Sequence, residues 1–366
     1  MEDHNRVTDT RRGVLKKMGA GAFLPLGGFA SQSEEMVKLP ELRNNEGVVK
    51  WIEVPKAWAD HKRQAEKVSN ELQKEYAGAE GVVEVGLVAA SERYGGKRGL
   101  EVEVGVDSDV ITAEITDHTN GIPVQTVQRK QATVDLCYNH SYDDLPGGVQ
   151  IGNQASGTVS VGTTAWKVEH SGEMMMLTAR HVIPSTQDVY GDQSGSSLQK
   201  VGEVDSRDSD TDMAAVESSR SIPNQIQGDG STYDIGGWVT ESGISNRVTS
   251  PIDGYRKMGS TTGETTGGLG KYHIGANYDS DVDPSYDGHG VRGSADAASG
   301  DSGGPAFSLH NGDAYVISLV TQGDPKAGQR NSNSNCRNIN PYKKSIGTAA
   351  YRLNNNGYQA QGSSHS

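Results

Sequence analysis

Two cysteines in 366 residues, Cys137 and Cys336, are too few for a disulfide scaffold and too isolated for a structural zinc site. Phenylalanine is nearly missing, with 3 residues against 47 glycines, and Val and Thr cluster in short runs, so a helical bundle is excluded in favour of a turn-rich, mostly β chain. Basic residues are also short, 34 against 47 acids, for a net charge of -13. Such a surface repels phosphate, so no nucleic acid partner is expected. The acids are spread along the whole chain without a single tail, the pattern of a solvating surface in high salt, and they hint at a halophilic source. Asp279-Ser280-Asp281-Val282-Asp283 has the spacing of a calcium loop, but Pro284 and Gly290 stand where that loop needs Gly and Glu. No metal and no cofactor are expected.

What is present begins with an address. Arg11-Arg12 precede a mildly apolar stretch from Met18 to Phe29 and the small residues Gly28 and Ala30. This order is that of a secretion signal over residues 1–30, and the paired arginines resemble the twin-arginine export signal. No later segment is apolar enough to span a bilayer, so a secreted, extracellular protein without a stable membrane anchor is expected. In an exported chain Cys137 and Cys336 either form one bridge or remain two buried thiols.

Residues 31–47 are polar and read as a linker. Val48 to Val54 reads as a strand. Pro55 then suits a helix first turn, and His61, Ala65, Val68, Leu72 and Tyr76 recur at helical spacing up to a closing Gly78. Alternating Val-rich runs at 81–89 and 100–106, a Gly95-Gly96 turn and a short strand at 122–127 complete a small α+β accessory domain or pro-domain over 48–130. A connector over 131–147 follows. Residues 148–352 carry repeated short strands between Gly, Asp and Ser turns, which indicates a sandwich or barrel, and 353–366 read as a disordered tail.

The chemistry sits in this third region. Ser302, within Gly300-Asp301-Ser302-Gly303-Gly304-Pro305, is flanked by glycines that let substrate and backbone approach its hydroxyl, which makes it the candidate nucleophile. His181 lies just past the apolar run Met174 to Thr178, where a base is held firmly while facing a cleft. Asp212 opens the run Met213-Ala214-Ala215-Val216, and it alone among Asp205, Asp208, Asp210 and Asp212 adjoins residues that could shield a carboxylate orienting a histidine.

The order His181, Asp212, Ser302, together with Leu177-Thr178-Ala179-Arg180-His181, Asp212-Met213-Ala214-Ala215-Val216 and the six-residue serine motif, resembles the chymotrypsin/trypsin superfamily of serine peptidases. Lys257-Met258-Gly259-Ser260-Thr261-Thr262-Gly263 is similar to a segment of the bacterial and archaeal streptogrisin-like branch, which with the acidic composition suggests a haloarchaeal member. The resemblance covers roughly 148–352. It implies two antiparallel six-stranded β-barrels, with His181 and Asp212 on the first and Ser302 on the second. It also implies an oxyanion hole from the N–H groups of Gly300 and Ser302, and a cationic partner for Asp301, either Lys257 or Arg256. Asp296, six residues before Ser302, would sit at the base of a pocket for Arg or Lys, with Thr321, Gln322 and Gly323 as its wall. The expected function is a monomeric secreted serine endopeptidase acting on proteins or peptides through an acyl-enzyme. A catalytically inactive binding module is the alternative. A carboxylesterase is disfavoured, since that fold needs Ser, then the acid, then His.

Overall fold

The computed structural model describes residues 34–362 except 77–78, 80, 107–114, 116–117, 129–141, 156–157, 184–187, 195–196, 251–253, 277–287 and 324–341. The export signal, Cys137, Cys336, Gly78 and the acidic run Asp279–Asp283 lie outside the described residues.

The first ordered element falls where a linker is expected. Met36–Asn44 (β1) and Gly47–Pro55 (β2) form a hairpin, because Asn44 Oδ1 accepts hydrogen bonds from the N–H groups of Glu46 and Gly47 at 3.0 and 3.1 Å and closes the turn. Lys56–Glu75 (α1) buries Trp58, His61, Ala65, Val68 and Leu72 at steps of three and four residues, the face anticipated from their spacing. Val82–Tyr94 (β3) and Lys97–Val106 (β4) are joined by Gly95 and Gly96, both at positive φ as a tight hairpin turn requires. His118–Thr119 (β5) and Ile122–Gln128 (β6) follow, β6 running parallel to β4.

A first sheet takes Gln150–Ala155 (β7), Thr158–Thr163 (β8), Lys167–His170 (β9), Glu173–Ala179 (β10), Asp188–Ser194 (β11), Ser197–Asp208 (β12) and Met213–Ser218 (β13). The chain then passes through Gln225–Gln227 (β14), Thr232–Val239 (β15) and Glu241–Thr249 (α2). The Thr240 hydroxyl caps α2 by accepting from Gly243 N at 3.1 Å. The second sheet is built on Tyr255–Gly259 (β16), Gly263–Gly267 (β17), Leu269–Ala276 (β18), Gly290–Gly293 (β19), Pro305–His310 (β20), Asp313–Gly323 (β21) and Ser345–Ala349 (β22). Ala350–Asn355 (α3) and Gln359–Ala360 (β23) are the last elements among the described residues, and β23 pairs with β9. The segment read as a disordered tail is therefore ordered through residue 362: Tyr358 and Ala360 are buried, and the strand edge of β9 supplies the hydrogen bonds that the composition does not reveal.

The chain is mostly β, with two sheets and two main apolar cores, as a trypsin-like two-barrel architecture requires. Among the described residues the sheets hold eight and fifteen strands: the first is β7–β13 with β23 added, and the second is β14–β22 with the six strands of residues 36–128 added. Those residues share both sheet and core with the second lobe. Strand β3 pairs with β18 (Tyr272↔Leu87, Gly275↔Val85), β1 pairs with β15, and Leu72, Val85, Leu100 and Val104 lie in one core with Tyr255, Tyr272 and Val291. Across this seam Lys271 Nζ reaches Glu84 Oε1 at 3.1 Å and Glu103 Oε1 at 2.9 Å, and Arg292 pairs with Glu84. All four side chains are buried. Two cations from the second lobe meet two carboxylates from the β3–β4 hairpin, which is how such charges survive out of water.

Candidate active site

Strands β10 and β13 are in register up to Ala179↔Met213, so the residues just beyond that pair are forced together. Arg180 N donates to Asp212 O at 2.9 Å, and a short 3-10 turn, Arg180–Val182, carries His181 outward. Asp212 is 2% exposed and sits at φ 49°, a left-handed backbone that costs an Asp residue about 1–2 kcal/mol. That conformation turns its carboxylate back onto His181. Oδ2 lies 2.6 Å from His181 Nδ1, and Oδ1 accepts from His181 N at 3.1 Å. With Nδ1 donating, the neutral imidazole keeps Nε2 as its open acceptor. Burial by itself lowers the His181 pKa, but the Asp212 charge and hydrogen bond outweigh it and leave it above the ordinary 6.5.

The serine loop docks against the same lobe. Thr163 N donates to Ser302 O at 2.7 Å and Thr163 Oγ1 to Gly300 O at 2.6 Å. Gly303, at φ 91°, has no room for a side chain: a Cβ would stand 2.2 Å from Thr163 O and 2.3 Å from Thr178 Oγ1. Thr178 is three residues before His181, so this contact brings the two loops to one place. Ser302 Oγ donates to Thr321 O at 2.9 Å, and among the described residues no hydrogen bond joins it to His181.

Asp301 is fully buried behind the serine. Its Oδ1 accepts from Thr261 N and Thr262 N, both at 3.0 Å. Its Oδ2 accepts from Ala298 N at 2.9 Å and Thr262 Oγ1 at 2.8 Å, and pairs with Lys257 Nζ at 2.5 Å. Of the two sequence candidates, Lys257 is the one the structure brings to Asp301. Arg256, its neighbour on β16, points the other way and pairs with Glu264.

Two peptide planes follow from these anchors. Ser299 O accepts from Thr261 Oγ1 at 2.5 Å, and Asp301 O accepts from Gly304 N at 2.9 Å. In a trans peptide the N–H opposes the carbonyl, so the N–H groups of Gly300 and Ser302 are turned away from both anchors. Among the described residues neither N–H has a partner. Asp296 is half-buried, and its carbonyl accepts from Thr265 Oγ1 at 2.8 Å. Thr321, Gln322 and Gly323 form the end of β21. Tyr342 ties the two stretches, exchanging hydrogen bonds of 2.8 and 2.7 Å with Ala297 and standing, at its ring, 2.4 Å from a Cβ built on Gly323. Sequence reasoning missed Tyr342 and Thr163, for which no local signal exists, and took in Thr178 only as part of the histidine motif. It also passed over the roles of Ser260, Thr261 and Thr262, whose only mark is a run of hydroxyl residues between Gly259 and Gly263.

No family model matches this chain, and no curated protein matches it. Among solved structures it is similar to a glutamic acid-specific serine protease described as using a histidine triad in substrate binding, at 22% identity over 58% of this chain and 98% of that one, with a TM-score of 0.41. It is also similar to Thermobifida fusca protease A (15% identity, 60% and 100% covered, TM-score 0.38) and to Cellulomonas bogoriensis chymotrypsin (17%, 60% and 100%, 0.38). These neighbours are chymotrypsin-like serine proteases, and at such distances they assign this chain neither a substrate nor an activity.

Proposed function

We propose that this chain is a serine endopeptidase that hydrolyses peptide bonds through Ser302, His181 and Asp212. The observation that carries the reading is the buried Asp212 carboxylate gripping both His181 Nδ1 and His181 N, at the strand ends where the serine loop docks. In this mechanism Ser302 Oγ turns from Thr321 O to His181 Nε2, a change of side-chain rotamer. Hydrogen bonds that are absent without substrate often tighten in its complex. His181 takes the serine proton as Oγ attacks the peptide carbonyl, and Asp212 stabilises the imidazolium. The N–H groups of Gly300 and Ser302 receive the oxyanion, where each donor is worth about 3 kcal/mol of barrier. His181 then passes its proton to the leaving amine. It next activates the water that attacks the acyl-enzyme and frees Ser302.

The finer parts of the reading rest on sequence. The enzyme is exported through the paired arginines at 11–12 and works in a salty exterior, as a monomer of the streptogrisin-like kind. Asp296 selects Arg or Lys next to the scissile bond, with Thr321, Gln322 and Gly323 lining the pocket. Residues 48–130 serve the second lobe as an accessory domain.

A second reading is favoured by one observation: Ser302 Oγ is engaged with Thr321 O, as suits a binding module that never attacks. A phosphonate that reacts with activated serines separates the two. The full chain, purified in high salt, is expected to be labelled at Ser302 and to cleave a mixed peptide library, with both lost in Ser302→Ala. Absence of labelling, or cleavage surviving in Ser302→Ala, refutes the triad. Cuts after acidic or apolar residues refute the role of Asp296.

A further inference from the structure

We propose that Arg180 and Arg207 form a carboxylate-binding subsite beside the catalytic histidine, which reads an acid on the substrate away from the scissile residue. The proposal rests on the peptidase reading and names part of its substrate class.

The sheet places both residues. Thr178, Ala214 and Arg207 are directly opposed across β10, β13 and β12. Opposed residues project from the same face of a sheet. Thr178 identifies that face, because its Oγ1 is the atom a Cβ on Gly303 would strike. The flanking residues Leu177, Ala179, Met213 and Ala215 project from the other face by the alternation of the strand. On the opposite side of β12, Ser206 and Asp208 are occupied by the C-terminal segment, through Tyr358 Oη at 3.0 Å and Asn356 Nδ2 at 3.3 Å. Arg207 therefore rises, exposed, from the face on which the serine loop docks. Arg180 immediately precedes His181, its backbone held by Asp212 O.

Their charge is unspent. Acids outnumber bases in this chain, and Arg63, Arg247, Arg256 and Arg292 each have a carboxylate partner. Among the described residues neither Arg180 nor Arg207 has one. Register brings them together: Arg207 stands two strand spacings, about 10 Å, from Thr178, and Arg180 lies two residues past Thr178, within reach of two long side chains. In keeping with this, partial desolvation and then the Arg180 charge lower the Arg207 pKa, while Asp212 raises it. Asp212 is already engaged by His181 and cannot neutralise both guanidiniums. A pair of like charges held together at a cleft is relieved by an incoming anion, and a guanidinium fork fits a carboxylate in two hydrogen bonds. That carboxylate has two sources on a peptide, a Glu or Asp side chain or a free C-terminus.

The test uses the full chain and peptides with one fixed cleavage site. Each peptide carries Glu or its neutral isostere Gln at one of the four positions on either side of the cut, or ends in a free or amidated C-terminus. Wild type is expected to favour the charged member of one such pair by about tenfold in kcat/KM, mainly through KM. Arg207→Gln and Arg180→Gln should bring that ratio to near one while cleaving the neutral peptide within about twofold of wild type, which also shows that they fold. Arg207→Glu should favour Lys at the same position. Which pair responds tells a side chain from a terminus. A wild type indifferent to every pair, or a preference that survives both Gln variants, overturns the subsite. A wild type that cleaves nothing overturns the peptidase reading and the subsite with it.

Discussion

Two buried ionic clusters in this molecule use the same chemistry for different ends. At the serine loop one carboxylate, Asp301, meets one cation, Lys257, and the remaining lone pairs are filled by three backbone N–H groups and a hydroxyl. At the seam with the β3–β4 hairpin, Glu84 and Glu103 meet Lys271 and Arg292, and charge balances charge with few backbone donors. The first is a clamp on a loop, since fixing Asp301 fixes the peptide planes on both sides of it. The second is a seal between sheet segments far apart in sequence, and it orients no reacting group. Burial pushes Lys271 down, against the pull of Glu84 and Glu103. A hairpin that supplies both carboxylates cannot leave without stranding two buried cations.

The sharpest way to break the comparison is Lys257→Met. It leaves Asp301 buried without its cation and is expected to cost about 3–5 kcal/mol of stability. Because the proposed oxyanion donors hang from the same loop, activity per folded molecule should also fall at least about tenfold, read by active-site titration beside thermal unfolding. Lys271→Met should cost a similar about 3–5 kcal/mol but leave activity per folded molecule near wild type, and a large loss there would merge the two clusters into one functional unit.

His181 and Asp212 form a third pair that differs in exposure, the imidazole being 30% exposed, and Asp212 holds its pKa above 6.5. In the proposed mechanism the rate needs neutral His181 and should rise with pH through an inflection above 6.5, moving to lower pH in Asp212→Asn as the rate drops. The stability the pair gives runs the opposite way, present in full below 6.5 and lost as pH climbs through the raised folded value. Arg256→Met removes the partner of Glu264, whose side chain is only 9% exposed but keeps the Tyr233 hydroxyl, and should cost about 1–3 kcal/mol with activity kept. Smallest of all, Trp51→Ser, on an exposed edge of β2, should shift stability by no more than about 0.5 kcal/mol.

Much of the candidate site was legible because its signals are local. Gly303 and Gly300 announce a backbone at positive φ, Asp212 adjoins the apolar run that buries it, and His181 ends the strand that places it. The helix at 56–75 was legible for the same reason, its apolar residues recurring on one face. The limits were equally physical. The apolar alternation of residues 36–44 is broken at Pro40-Glu41, and residues 359–360 are too short to show one, so they are strands through their pairing with β2, β15 and β9.

By itself, the sequence determined the β class, the helix and the residue types and order of the candidate site, since these depend on neighbours a few positions away. Only the tertiary structure decided that Lys257 and not Arg256 faces Asp301, because adjacent strand residues point to opposite sides and register chooses between them. It also decided that Ser302 Oγ rests on Thr321 O, and that Glu84 closes on Lys271 across 187 positions of chain. Such contacts are set by pairing and burial between remote segments, and no local propensity encodes them.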